Sequence, residues 1–119
     1  MNKYKTSTGE SIEKNKIDKK IRDAKKAFLD NFYDEHGYYF CERTGRSDLK
    51  PLDVSHIISV RFAQATGRTE LAWDLKNFEL LSRAEHLKIE GWTNVKRQTY
   101  FQAKKNGMDF ETFKMFNYE

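Results

Sequence analysis

Apolar residues recur at three- and four-residue steps through Ile17, Ile21, Ala24, Phe28 and Phe32, while Lys19, Lys20, Arg22, Lys25 and Lys26 fall largely off that stripe. This spacing predicts an amphipathic helix over residues 15–37, one face for a core and the other for solvent. Asn15 is placed to cap its start, with Asp18 three residues on, where a carboxylate suits the helix dipole. Gly37 is placed to end it in the left-handed conformation. His36 then falls in the last helical turn and reads as an ordinary helical residue. Residues 1–14 show no periodicity and are expected to form an irregular start.

The period changes after Gly37. Tyr38-Tyr39-Phe40-Cys41 is short, aromatic and strand-like, and the turn-rich Thr44-Gly45-Arg46-Ser47-Asp48 follows it. Leu52 to Ile58 is rich in branched apolar residues, with Leu52, Val54 and His56 on one face by alternation. The two segments are expected to pair as a hairpin-like unit. Ser59 is set to cap a short helix through Gln64 that Gly67 ends, and Thr69 to Trp73 adds a turn. Asn77 precedes a brief apolar run from Phe78 to Leu81.

Ser82-x-x-Glu85 is the clearest helix start in the chain, a capping box in which each side chain takes an orphan N–H of the other. The helix it opens carries His86, with Glu90 four residues on and on the same face, and Gly91 ends it. Thr93 can cap a further helix to Asn106, and Asp109 a last one bearing Phe110, Phe113 and Phe116. The expected class is α+β, mainly helical. One domain spans 1–119, with a basic helix at 15–37, a ββα core at 38–91 and C-terminal helices at 92–119.

Composition narrows the function classes. The chain has 119 residues and 34% charged side chains, so one core is expected under a heavily solvated surface. No apolar run approaches the roughly 18 residues of a membrane span, and the Lys-rich start lacks an apolar stretch behind it. The expectation is a cytoplasmic protein without a membrane partner, of a bacterium or a phage-infected cell. Cys41 is the single cysteine, which excludes an internal disulfide and an all-cysteine zinc site. It reads as a small buried hydrophobe. The net charge of +4 is uneven: residues 1–27 carry nine Lys and Arg against four Asp and Glu, and residues 28–87 seven against ten. A basic arm beside an acidic middle suits a chain that holds a polyanion with one part and a cation with another.

Hydrolysis of a phosphodiester needs a base for water, charge on the scissile phosphate and stabilisation of the leaving oxygen. An oriented histidine meets the first need, and a divalent cation much of the other two. His56 on a strand, His86 on a helix and Asn77 between them make a minimal kit. Over Cys41 to Glu90 the chain resembles the HNH endonucleases of the ββα-metal fold. The nine-residue step from Asn77 to His86, with Phe78, Leu80 and Leu81 apolar, is similar to that family's pattern.

The resemblance implies His56 as general base, Asn77 as the residue that fixes loop and base, and His86 as metal ligand. It implies one divalent cation, Mg²⁺ or Mn²⁺ first and Ni²⁺ or Zn²⁺ as alternatives, and double-stranded DNA as partner. Two departures stand out. The family's zinc knuckles would fall at Cys41, Thr44, Ser82 and Glu85, where three of four thiolates are missing, so no structural zinc is expected. The residue before the base is usually a metal ligand and here is Ser55, whose neutral hydroxyl suits a hard cation poorly. Three outcomes stay open: a cation held by His86 with Glu90, Asp53 reaching in, or a weak or absent site. The first is preferred. Lys19, Lys20, Lys25 and Lys26 are candidates to grip DNA phosphates, and Arg61, Arg83 and Lys88 to hold phosphate nearer the site. Trp73 and Trp92 read as core residues rather than as base-stacking platforms. The expected function is a metal-dependent DNA endonuclease, with a catalytically inactive DNA-binding or regulatory module of the same fold as the alternative.

Overall fold

Helix α1 spans Lys14–His36 and buries Ile17 and Phe32, with Ile21, Ala24 and Phe28 partly covered, as the apolar stripe requires. The structure, a computed structural model, describes residues 3–116. Gly37 ends α1 at φ 79°, its N–H donating to the Tyr33 carbonyl at 2.7 Å. The start differs from expectation. Glu13 precedes the helix without a side-chain cap, and Asn15 lies inside the first turn.

The stretch expected to be irregular is a hairpin, β1 (Lys3–Lys5) against β2 (Ser11–Glu13), with Tyr4 opposite Ile12. Strands of three residues are too short to show a period. They are held by distant partners instead: Thr69 Oγ1 donates to the Lys5 carbonyl at 2.7 Å, and the Ser7 N–H to Glu70 Oε1 at 3.1 Å.

A second correction concerns strand pairing. β3 (Leu52–His56) pairs antiparallel with β4 (Phe78–Ser82), from Leu52↔Ser82 to His56↔Phe78, and Tyr38–Cys41 forms no strand. The Cys41 N–H is donated to the Arg46 carbonyl at 2.9 Å and the Gly45 N–H to the Cys41 carbonyl at 2.7 Å, which folds this stretch into a turn. The rings of Tyr39 and Phe40 gather on α1, with Phe40 5.0 Å from both Phe32 and His36 between centroids. Backbone amides so engaged are not offered to a ladder.

Between the strands lie α2 (Val60–Ala65), capped by Ser59 Oγ, and two 3₁₀ turns at Thr69–Trp73 and Leu75–Asn77. After β4 come α3 (Arg83–Glu90), α4 (Asn94–Lys105) and α5 (Phe110–Phe116). Thr93 and Asp109 cap the last two through the N–H groups of Lys96 and Thr112. At α3 the Ser82 hydroxyl accepts the Glu85 N–H at 3.4 Å, but the Glu85 carboxylate takes Lys88 Nζ at 3.0 Å rather than the Ser82 N–H. The capping box is therefore half formed.

The main core joins Ile57 and Ile58, just past β3, to Tyr100, Phe101 and Phe113 of the C-terminal helices. A smaller cluster joins Cys41, Leu81 and Ile89, and Trp92 packs against both. Each fully buried aromatic contributes about 1.5–3 kcal/mol of transfer free energy, so α4 and α5 stabilise the segment leaving β3. The class is α+β, with five helices and two small antiparallel sheets among the described residues. No helix of these residues is long and apolar enough to cross a membrane.

Candidate functional site

The segment that follows β3 is fastened from two sides. Asn77, fully buried, accepts the Ile58 N–H at 2.7 Å through Oδ1 and donates from Nδ2 to the carbonyls of Ile58 and Leu71, each at 2.9 Å. Its own carbonyl accepts the Ile57 N–H at 2.8 Å. A side-chain amide can serve both the N–H and the C=O of one residue, which is why an amide rather than a carboxylate stands here. From α4, Arg97 Nε donates to the Ile57 carbonyl at 2.7 Å and Nη2 to the His56 carbonyl at 3.0 Å. In the sequence Arg97 looks like one more surface charge of a Lys-rich helix. Its place beneath His56 shows only when α4 docks.

His56 ends β3 with its ring edge-on to Phe78 at 5.0 Å and Nε2 2.8 Å from the Ala72 carbonyl. That bond fixes the tautomer: Nε2 carries the proton and Nδ1 keeps its lone pair. Burial pushes the imidazole down to about 4, the Ala72 carbonyl opposes this, and the nearby cations Lys25 and Arg97 lower it further. The ring is therefore neutral near pH 7. Ala72 follows Leu71 directly, so the carbonyl that orients His56 lies one residue from a carbonyl that Asn77 holds.

His86 lies on α3, between two carboxylates. Asp53 Oδ2 is 2.9 Å from Nδ1 and Glu90 Oε1 is 3.4 Å from Nε2. Arg83 donates to both oxygens of Asp53, from Nε at 2.8 Å and Nη2 at 3.3 Å. The hydrogen bonds of Arg83, first, and then of His86 hold the Asp53 carboxyl below the usual range. Asp53 thus orients the ring from behind, leaving Nε2 and Glu90 on the open side. Such a carboxylate–histidine pair is the usual support of an imidazole ligand. An imidazole with one outward carboxylate fits a divalent cation that keeps waters on its other positions. Among the described residues no three His, Cys, Asp or Glu side chains converge as a ready ligand set.

His56 and His86 do not touch. Arg97 links their surroundings, since its Nη1 is 3.5 Å from Glu90 Oε2 while Nη2 holds the His56 carbonyl. Ser55, the other sequence candidate, is 1% exposed, and its hydroxyl has only a 3.5 Å contact with the His56 carbonyl.

The basic residues divide. Lys19 and Lys26 pair with Asp23 and Asp30 of their own helix at 2.7 and 3.0 Å, and Lys20 Nζ sits 5.3 Å over the Trp73 ring. Arg83 is turned to Asp53 and Lys88 to Glu85. Arg61 is exposed, and Lys25 is within electrostatic reach of His56. Exposed i,i+4 pairs are worth only about 0.3–0.5 kcal/mol and yield readily to a phosphate.

Two buried features complete the surroundings. Desolvation would raise the Cys41 thiol, but the Thr44 side chain and the backbone amides of Ser82, Thr44 and Arg43 outweigh it and hold the thiol below its ordinary value. Positions 41, 44 and 82 therefore meet around one sulfur, and the Ser82 hydroxyl holds the Glu85 N–H beside them. Glu79, opposite Ser55 on β4, is 1% exposed and accepts from Arg43 Nη2 at 3.0 Å and from the Tyr100 hydroxyl, with Lys104 Nζ at 3.8 Å. Burial first, then the Glu79 charge, pushes the Tyr100 phenol far up. No protein-family model, curated protein or solved structure matches the chain.

Proposed function

We propose that the chain is a metal-dependent endonuclease of the HNH kind, hydrolysing phosphodiester bonds of double-stranded DNA on a ββα-metal scaffold. The observation that carries this reading is the fastening of the His56 segment from two sides, by Asn77 on one and by Arg97 on the other. On that segment a neutral imidazole is held by the Ala72 carbonyl, beside an antiparallel strand pair and a helix bearing His86. A core histidine without a task would not need its lone-pair nitrogen left outside the hydrogen-bond network.

In this reading His56 Nδ1 takes the proton of the attacking water, and the Nε2–H to Ala72 keeps the ring in register. A conjugate acid near 4 makes a weak base, and the negative charge of a bound phosphodiester raises it toward the working range. Asn77 and Arg97 are positioning residues that hold the backbone on which His56 stands. His86 Nε2 and Glu90 would hold the divalent cation, Asp53 taking the Nδ1–H behind it. When bound there, such a cation supplies Lewis-acid charge for the scissile phosphate and the leaving oxygen. Lys25 and the lysines of α1 would grip phosphates along the duplex, without reading bases.

The bonds from Arg83 to Asp53 and the burial of Ser55 favour a second reading, a DNA-binding or regulatory module that has this scaffold without hydrolysis. A plasmid nicking assay with Mg²⁺, Mn²⁺, Ni²⁺ or Zn²⁺, with and without chelator, separates the two. The enzyme predicts cation-dependent nicking that His56→Ala lowers by about 100-fold or more while DNA binding in chelator is retained. Intact plasmid under all four cations, with DNA still bound, supports the module. Loss of neither activity nor binding in His56→Ala would refute the role given to His56.

A further inference from the structure

A run of contacts leaves the end of β3 and returns to the same strand. Arg97, from α4, holds the carbonyls of His56 and Ile57 through Nη2 and Nε, at 3.0 and 2.7 Å. Its third nitrogen, Nη1, faces Glu90 Oε2 at 3.5 Å. The other oxygen of Glu90 is turned to His86 Nε2 at 3.4 Å, and His86 Nδ1 meets Asp53 Oδ2 at 2.9 Å. Asp53 stands on β3 ahead of His56, so the circuit closes where it began. One step in it is unlike the others. With the Nδ1 proton given to Asp53, His86 Nε2 and Glu90 Oε1 are two acceptors face to face. Two ligands of one ion, each about 2.1 Å from it, stand about 3–3.5 Å apart, which is the spacing of this pair.

The Arg97 side chain is 8% exposed and that of Glu90 55%. Burial draws the guanidinium below its ordinary value, and Glu90 opposes this. A surface carboxylate that serves a buried arginine is thereby held in one orientation, Oε2 inward and Oε1 toward His86. A planar guanidinium fork spans two carbonyls and a carboxylate at once, which the single ammonium of a lysine does not. We propose that Arg97 couples the cation site to the base, so that a divalent cation on His86 and Glu90 draws the His56 segment into a single setting. This inference rests on the cation site of the reading above and adds its regulation: cation occupancy and the placing of His56 are linked. By that linkage, loosening Arg97 weakens the cation, and the cation steadies the backbone under His56.

The test measures Mn²⁺ binding by calorimetry, without DNA, on the full chain and on Arg97→Lys, Glu90→Gln and the double variant. Arg97→Lys should weaken Mn²⁺ about tenfold or more, but by less than about twofold where Glu90→Gln is already present. Equal losses in both backgrounds, as a merely structural arginine would give, overturn the proposal. Unchanged affinity in Arg97→Lys does the same, and either result leaves the cation site standing. No binding by the unsubstituted chain overturns the cation site and the coupling together. A second readout follows the ring ¹⁵N signals of His56 under Zn²⁺, a diamagnetic probe that can be added to saturation. In the unsubstituted chain they should move at the same midpoint as those of His86, and in saturated Arg97→Lys less than half as far. An equal movement in both overturns the coupling. Circular dichroism checks that Arg97→Lys folds. If it does not, Glu90→Gln decides, since that side chain is largely exposed. Without any cation it should already shift the His56 ring signals, and unmoved signals overturn the proposal.

Discussion

Replacement of Asn77 by alanine removes three buried hydrogen bonds in one step. The Ile58 N–H and the carbonyls of Ile58 and Leu71 lose their side-chain partner, in a place that is fully buried. Each buried group left unsatisfied costs about 1–3 kcal/mol, and a water entering the vacated space offsets part of the sum. The expected loss is about 3–5 kcal/mol, within the roughly 5–15 kcal/mol total of an ordinary domain, so the variant still folds. At a urea slope of about 1.5 kcal/mol/M, the midpoint falls by about 2–3 M. Asn94→Ala, an exposed amide at the start of α4, serves as control and should change stability by less than about 0.5 kcal/mol. A shift for Asn77→Ala of less than about 1 kcal/mol would show that the segment holds itself. The claim that Asn77 organises the backbone under His56 would then fail.

The folded-state depression of His56 makes a second prediction. Its imidazole drops from 6.5 to about 4, so the neutral form is favoured by folding. That contribution is complete above about pH 6.5 and is lost as pH falls toward 4, to about 3 kcal/mol at about 1.4 kcal/mol per unit. Urea midpoints in chelator across this window should flatten in His56→Gln relative to the unsubstituted chain; parallel curves would contradict it. Glu79→Ala leaves the Arg43 guanidinium buried without its counter-charge and should cost about 3–5 kcal/mol in thermal or urea unfolding. A second change, Arg43→Met, should then recover at least half, and failure to recover would place the cost elsewhere. Finally, Thr44→Cys, Ser82→Cys and Glu85→Cys together set four thiolates around the place of the Cys41 sulfur. Titration should show one tightly bound Zn²⁺ and a raised melting temperature. A folded triple variant without stoichiometric zinc would contradict the convergence of these positions.

Much of the local structure was legible because its causes are local. The stripe from Ile17 to Phe32, the Gly37 stop and the caps at Ser59, Thr93 and Asp109 each depend on residues within a few positions of one another. Asn77 stood out in the sequence as a candidate site residue, but the three backbone groups its side chain holds did not. What escaped depends on pairs far apart in the chain. β3 finds β4 across some twenty residues, while Tyr38–Cys41, nearer in sequence and richer in aromatics, turns back on itself and packs on α1. Glu79 is a charged residue inside the apolar run from Phe78 to Leu81, and its burial is made tolerable by distant partners, Arg43 thirty-six residues before it and Tyr100 twenty-one after. Arg97 carries no mark in α4 that separates it from Lys96. The hairpin at Lys3–Glu13 has little apolar surface of its own, and its hold on Thr69 and Glu70 lies outside any local window.

That hairpin also bears on the order in which the molecule assembles. α1 and the β1–β2 turn can form early, because their contacts close short loops. The bond from Thr69 to Lys5 and those from Ser7 to Glu70 span 64 and 63 residues, so they form only after the chain between has collapsed. On unfolding the same contacts, few and at best partly buried, should be the first to open. Amide hydrogen exchange should therefore find residues 3–13 released at a lower free energy than the β3–β4 ladder, as a separate small unit at the mouth of α1. A label or tether near Ser7 would disturb that unit through its bonds to Glu70, two residues from the Ala72 carbonyl that orients His56.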